Sequence, residues 1–312
     1  MLDLPLAKSG IDRDYLARES SELFDELWSE PNTRVLPIFN QKVLLQVDES
    51  GQAAPKLALF RIEQVPSAQF RVYLGRTTIE SIDLDGNLLP IGSPIVAAAL
   101  GENSANQLEP DQAAWHNLRR STQALNDLDA GIFAQGLAIT NWHLTHQHCP
   151  RCGTPTVIEK GGWSRRCFND DRQVFPRTDP AIIVAVTDES DRILLGSQGV
   201  WEDNRWSVLA GYVEAGESLD QAVRREIAEE AGISVSDIHY RGSQPWPFPY
   251  SLMFGFSAKA SSAHDLVPDG IEIEKLKWFS REELLAERER ILLPGRLSIA
   301  RALIEDWLGE PL

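Results

Sequence analysis

Three glutamates, Glu226, Glu229 and Glu230, stand at spacing i, i+3 and i+4. On a helix they share one face, where like charges at that spacing destabilise by a few tenths of a kcal/mol per pair. A solvated acidic face is the plain explanation, in a chain with 46 Asp and Glu against 30 Lys and Arg and a formal net charge of −16. The chemical alternative is a shared cation. Clustered carboxylates hold hard divalent ions such as Mg²⁺ or Mn²⁺. A cation held there offsets the repulsion, polarises a phosphate and activates a water.

The flanking elements decide between the two. The run is GYVEAGESLDQAVRREIAEEAGI, Gly211 to Ile233. An apolar strand pattern, WSVLA, precedes it, and a loop carrying Glu214, Gly216 and Glu217 follows Gly211. Leu219, Ala222, Val223 and Ile227 then recur at helical spacing and predict a buried stripe over 218–231. Gly232 is placed to end that helix in a left-handed cap. The carboxylates are expected on the face away from the stripe. Arg225 stands four residues before Glu229, within reach of an ion pair.

This run resembles the signature of the Nudix hydrolases, position for position: Gly211, five residues, Glu217, seven residues, then Arg225, Glu226, Ile227, Glu229, Glu230, Gly232 and Ile233. The resemblance implies a hydrolase acting on a nucleoside diphosphate linked to a further group. It implies an α/β fold, the Nudix α/β/α sandwich around a mixed sheet. AIIVAVTD (181–188), RILLGSQ (192–198), WSVLAGYV (206–213) and LMFGFSAKA (252–260) read as its strands, with helices over 218–231, 280–290 and 296–309. Glu226, Glu230 and Glu229 are then the expected ligands of Mg²⁺ or Mn²⁺, with the Ala210 carbonyl and Glu272 added by resemblance. Glu230 or Glu229 assists deprotonation of the attacking water, and spacing alone does not choose between them.

A second segment narrows the substrate. SQPWPFPYS, 243–251, has three prolines that hold the backbone extended and alternate with Trp246 and Phe248. A stiff segment of this kind either packs as a rigid turn or stacks on a flat heterocycle. It resembles the marker of the NADH pyrophosphatase branch at Ser243, Gln244, Pro245, Trp246, Pro247, Phe248, Pro249 and Ser251. That resemblance implies hydrolysis of NADH, and less well NAD⁺, to nicotinamide mononucleotide and AMP. In some members it implies removal of NAD caps from RNA 5′ ends. It also implies a homodimer, and substrate contacts at 244–251, Tyr250 among them, and at Phe175, Tyr212, Glu272 and Ala300. Phe175 and Tyr212 are the aromatics expected to sandwich the nicotinamide ring. A catalytically silent sensor of NAD or ADP-ribose is the alternative, but it would have no need of the full set of carboxylates.

Before the box stands HCPRCGTPTVIEKGGWSRRCFNDD, 148–171. Cys149, Cys152 and Cys167 have zinc-ribbon spacing, and Asp170 occupies the place of a fourth cysteine. Asp170 as fourth ligand, completion by His146 or His148, and a ribbon that has lost its zinc are three readings of that departure. A closed site of this kind is structural.

The remaining chain sets the frame. Hydrophobic residues make up 43% of 312 residues, enough for packed cores. The net charge opposes broad nucleic-acid binding. No apolar run reaches membrane length, the first twenty residues lack a signal-peptide core, and the odd number of cysteines is no disulfide framework. These features predict a soluble cytoplasmic protein that binds no membrane. Residues 1–107 read as short strands, RVLPIF, KVLLQV, KLALFRI and RVYLG, separated by turns at DESG and DLDGN. Residues 110–146 read as helical with a break near Asp129–Gly131. The expected domains are 1–127, β-rich and then helical; 128–178, a helix with the zinc-ribbon-like segment; and 179–312, the hydrolase domain.

Overall fold

The computed structural model describes residues 1–46, 55–117, 119, 125–261 and 265–312. The chain divides into two compact units. One holds Met1–Ala7, Asp179–Pro245 and Ser251–Leu312; the other holds Lys8–Thr178 and Trp246–Tyr250.

In the first unit the run PAIIVAV is apolar at every position because both its faces are covered. Ile182, Val184 and Val186 point into one core, and Ile183 and Ala185 into the other, as the two-residue period of a strand requires. This strand, β1 (Asp179–Thr187), is the centre of a mixed sheet. β2 (Ile193–Ser197) joins its end antiparallel, at Thr187 and Ile193. β3 (Leu209–Tyr212) runs antiparallel to it, with Ile183 opposite Ala210. The helix α1 (Leu219–Ala231) covers one face, burying Ala222, Val223, Ile227 and Ala231. β4 (Val235–Trp246) forms the outer edge beside β5 (Ser251–Ala260), which is parallel to β1 from Asp179 opposite Ser251 to Thr187 opposite Lys259. β6 (Lys275–Phe279) pairs antiparallel with β2. α2 (Arg281–Glu287) and α3 (Ile299–Leu308) cover the second face through Leu284, Ile299, Leu303 and Ile304. This is the α/β/α sandwich that the sequence predicts.

In the second unit, strand Arg34–Ile38 is parallel to Pro94–Ala99, and Phe70–Thr77 is antiparallel to the same strand. A small antiparallel sheet of Val157–Glu159, Ser164–Cys167 and Arg172–Val174 carries two of the cysteine-region turns. DLDGN forms a turn closed by Asp83, while DESG lies outside the described residues. The predicted helical span corrects to a shorter one. Residues 115–116 are a strand, and the helix runs unbroken from Asp127 to Thr145. Asn126 caps it by accepting from Asp129 N–H at 2.9 Å, so the polar cluster read as a break is its start. Gly131 lies inside the helix because a Cβ there would stand 3.2 Å from Lys8 O; it permits close approach of a neighbouring segment instead of breaking the helix. Among the described residues no helix is long and apolar enough to cross a membrane.

Candidate active site

α1 is held at both ends by local chemistry. Ser218 Oγ accepts from Gln221 N–H, and Gln221 Oε1 accepts from Ser218 N–H, a reciprocal capping box. Gly232 closes the other end at φ 70°. With the apolar stripe turned into the sheet, the glutamates do not all share one exposed face, as the spacing had suggested. Glu229 is open to solvent, Glu226 is half-buried, and Glu230 is only 3% exposed.

Gly211 explains how Glu226 reaches its place. A Cβ at this position would lie 2.0 Å from the Glu226 carboxyl carbon, so any side chain there would displace the carboxylate. Arg225 binds the cluster together. Its guanidinium donates to Glu217 at 2.9 Å, Glu226 at 2.8 Å, Glu229 at 3.0 Å and the Tyr212 carbonyl at 2.9 Å. Pairing with Glu229 was expected; Glu217 and Glu226 are added by the structure. These hydrogen bonds raise the Arg225 pKa, that from Glu217 most, and hold Glu217 below the usual carboxylate range.

Glu230 has the opposite environment. Its Oε2 is buried without a hydrogen-bond partner among the described residues. Burial pushes its carboxyl up to about 8, and repulsion from Glu226, Glu272, Asp269 and Glu229 adds to that. Glu226 is also raised, by burial first, against the pull of Arg225. An orphaned buried oxygen amid carboxylates fits a bound divalent cation, because such an ion supplies both the missing partner and the missing positive charge. The Ala210 carbonyl lies on β3, next to the Gly211–Glu226 contact. Glu272 is exposed on a loop held by Asp269, which accepts from the N–H groups of Ile271, Glu272 and Ile273.

The marker segment is packed more tightly than its sequence suggests. Gln244 is fully buried, and Ser251 nearly so. Asn141 Nδ2 donates to the carbonyls of Pro247 and Pro249, each at 3.0 Å. Phe248 packs on Phe133 and Trp246 with ring centroids 6.0 and 5.0 Å apart. Tyr250 lies 5.4 Å below the Arg177 guanidinium. Pro245 and Ser251 belong to the first unit, whereas Trp246–Tyr250 belong to the second. Tyr212 is 58% exposed, its hydroxyl 3.3 Å from Ser251 Oγ. Phe175 is 62% exposed and belongs to the second unit. Ala300 is buried in the apolar cluster of α3 and so presents no surface within this chain.

In the cysteine region Cys149, Cys152, Cys167 and Asp170 bring their ligand atoms within 4.8 Å of one another. Zinc bonds of about 2.0–2.3 Å fit such a cluster. Asp170 thus completes the set, while His146 hydrogen-bonds Thr145 Oγ1 at 2.8 Å.

Sequence reasoning gave no role to Glu217, Asp269 or Asn141. Glu217 is a fixed position of the box and could have been found. Asn141 is about a hundred residues from the prolines it holds, and no local pattern marks it.

Residues 177–296 match the NUDIX domain family. Residues 144–175 match the NADH pyrophosphatase zinc ribbon domain, and residues 32–142 the NADH pyrophosphatase-like rudimentary NUDIX domain. NAD-capped RNA hydrolase NudC of Mycobacterium bovis (strain BCG / Pasteur 1173P2) is 40% identical over 201 residues, which are 61% of this chain and 64% of that protein. Human NAD-capped RNA hydrolase NUDT12 is 36% identical over 198 residues, 59% of this chain and 43% of that protein. The chain therefore spans less than two thirds of the length of these relatives. A crystal structure of a NUDIX hydrolase from Nitrosomonas europaea covers 53% of this chain and 94% of its own, at 21% identity and a TM-score of 0.40.

Proposed function

We propose that the chain is a Nudix pyrophosphohydrolase splitting NADH, and NAD⁺ less well, into nicotinamide mononucleotide and AMP. One observation carries the proposal: Glu230 keeps a buried, unpartnered carboxylate oxygen amid four other carboxylates. A cation there would supply both the missing partner and the missing positive charge. The same arrangement disfavours the sensor reading, since a silent domain gains nothing from it.

Mg²⁺ or Mn²⁺, held by Glu226, Glu230, Glu229, the Ala210 carbonyl and Glu272, supplies charge neutralisation of the diphosphate. Arg225 orients Glu226 and Glu229 through its hydrogen bonds. Glu230 accepts the proton of the attacking water as the new P–O bond forms and the bridging P–O bond breaks. The leaving mononucleotide departs as a phosphate anion. Glu229 is the second candidate for the proton, and its greater exposure makes it the weaker one. Tyr212, exposed beside the box, stacks on the nicotinamide ring.

The same bond stands at an NAD-capped RNA end, so cap removal extends the reaction to a larger substrate. The protein acts as a cytoplasmic homodimer, with one structural zinc held by Cys149, Cys152, Cys167 and Asp170. Side-by-side kcat/KM values for NADH, NAD⁺ and NAD-capped RNA test the assignment. Products other than the mononucleotide and an adenylate end, or no hydrolysis with either ion, would overturn it.

A further inference from the structure

Gln244 is a fixed position of the proline-rich marker, yet no atom of it is free to meet a substrate. It is 0% exposed. Its Oε1 accepts from Leu6 N–H at 3.2 Å, and its Nε2 donates to the Leu297 carbonyl at 2.8 Å. One carboxamide therefore joins three separate pieces of the carboxylate-bearing unit: the segment 1–7, the end of β4, and the turn that begins α3.

The segment 1–7 is built to be held. Leu2 N–H donates to Arg241 O at 2.8 Å. Leu4 and Leu6 are 3% and 1% exposed, and Leu4 packs in the same apolar cluster as Ile299 and Leu303. Gly242 makes the approach possible, because a Cβ there would stand 3.0 Å from Leu4 Cδ1. On the other side, Leu297 is 2% exposed and precedes Ser298, which caps α3 by accepting from Ala300 N–H. Beside β4, β5 begins at Ser251, whose hydroxyl faces Tyr212. A buried amide with both groups satisfied specifies one geometry, because breaking either bond leaves a polar atom without a partner.

We infer that Gln244 is a positioning residue and not a substrate contact. It ties the segment Leu2–Leu6 to the α3 turn and fixes the end of β4, where the recognition segment begins. The segment 1–7 is thereby a working part of the hydrolase unit, although more than 170 residues of chain separate it from β1. This inference rests on the proposed hydrolase function for its kinetic arm only.

The test uses the full chain with Gln244→Ala and the near-isosteric Gln244→Glu, which keeps an acceptor for Leu6 N–H but, ionised, has no donor for Leu297. Amide exchange and steady-state kinetics are measured on each. Loss of a buried hydrogen bond should speed Leu6 amide exchange by about tenfold in Gln244→Ala. Gln244→Glu should retain Leu6 protection and lose protection only around Ala300. The helix α1 should exchange as before in both variants. KM should rise by the same factor, about three- to tenfold, for NADH and for ADP-ribose, with kcat within about twofold. Unchanged Leu6 exchange in Gln244→Ala would overturn the clamp whatever the activity. A KM increase confined to NADH would make Gln244 a reader of the nicotinamide end. If the wild type hydrolyses neither compound, the functional reading fails while the exchange data still decide the clamp.

Discussion

Among the described residues, Asp129 in one unit and Glu230 in the other are buried carboxyls with a raised pKa, and the two are treated in opposite ways. Asp129, 2% exposed in the second unit, is pushed up to about 6 by burial. Its Oδ2 accepts both from Leu57 N–H at 3.0 Å and from Asn126 Nδ2 at 2.9 Å. Glu230, 3% exposed, is pushed to about 8, with one oxygen unpartnered and four carboxylates around it. The first is a satisfied structural acid at the start of a long helix. The second is a carboxyl that burial and like charges keep protonated at neutral pH, and whose ionised form a cation would relieve. Burial and a raised pKa are common to both; the hydrogen-bond inventory separates them. The same contrast separates the two regions as families, since residues 32–142 match a rudimentary NUDIX domain and carry no run of box carboxylates, whereas 177–296 carry the whole set.

The largest effect expected from that contrast lies at Glu230. Glu230→Gln removes the charge and keeps the volume, and kcat should fall by about 10²–10⁴-fold. A drop of less than tenfold at saturating Mg²⁺ or Mn²⁺ would remove Glu230 from the reaction.

Next in size is the nicotinamide end. Tyr212→Ala should lower kcat/KM for NADH by roughly 5- to 150-fold, corresponding to about 1–3 kcal/mol of stacking. Hydrolysis of ADP-ribose, which lacks the ring, should change far less. Equal losses on both would assign Tyr212 to the box loop or to Ser251 instead.

His143 offers a pH-dependent contrast within the second unit. It is 1% exposed, with Nε2 facing the Gly162 carbonyl at 2.7 Å and Nδ1 facing Arg165 at 3.0 Å. Burial lowers its pKa to about 4; the Gly162 hydrogen bond opposes this, and the Arg165 charge adds to it. The unfolded chain takes up a proton below about 6.5 and the folded one only near 4, so this residue's stability contribution is lost as pH falls through that window. The loss approaches about 3 kcal/mol. Unfolding of wild type and His143→Gln should diverge between pH 6.5 and 4, with wild type the more acid-sensitive. Parallel curves would show that His143 titrates normally.

A smaller effect is expected at the cysteines. Elemental analysis should find about one zinc per chain, and Asp170→Ala should release it to a chelator more readily while turnover persists. Zinc-free wild type protein would mean that the cluster holds by packing alone.

The positions of the box carboxylates and of the three cysteines were legible in the sequence from short-range spacing, and the sandwich from the resemblance they carry, whereas the burial of Glu230 was not. Gly232 and the stripe from Leu219 to Ile227 specify α1 locally, and the unbroken apolar run Ala181–Val186 marks a strand covered on both faces. What escaped was set by distance along the chain. Nothing near Gln244 announces that Leu6 and Leu297 close on it, and nothing near Pro247 announces Asn141. Asp129–Gly131 misled for a related reason. The Asn126 cap makes the polar cluster a helix start, and Gly131 answers to a neighbour at Lys8 that local periodicity does not contain. Ala300, a substrate contact by resemblance, fills a core in the folded chain.

The most direct measurement compares thermal unfolding of wild type and Glu230→Gln, dialysed free of magnesium and manganese and then saturated with either ion. Without the ion and above about pH 8, where Glu230 is ionised, Glu230→Gln should be the more stable protein, because it lacks the unpartnered buried charge. With the ion at about a hundred times its Kd, wild type should gain about 2.7 kcal/mol, and the variant should gain far less, so that the order reverses. Equal gains in the two proteins, or a wild type already the more stable without the ion at that pH, would contradict a carboxylate cluster built around a divalent cation.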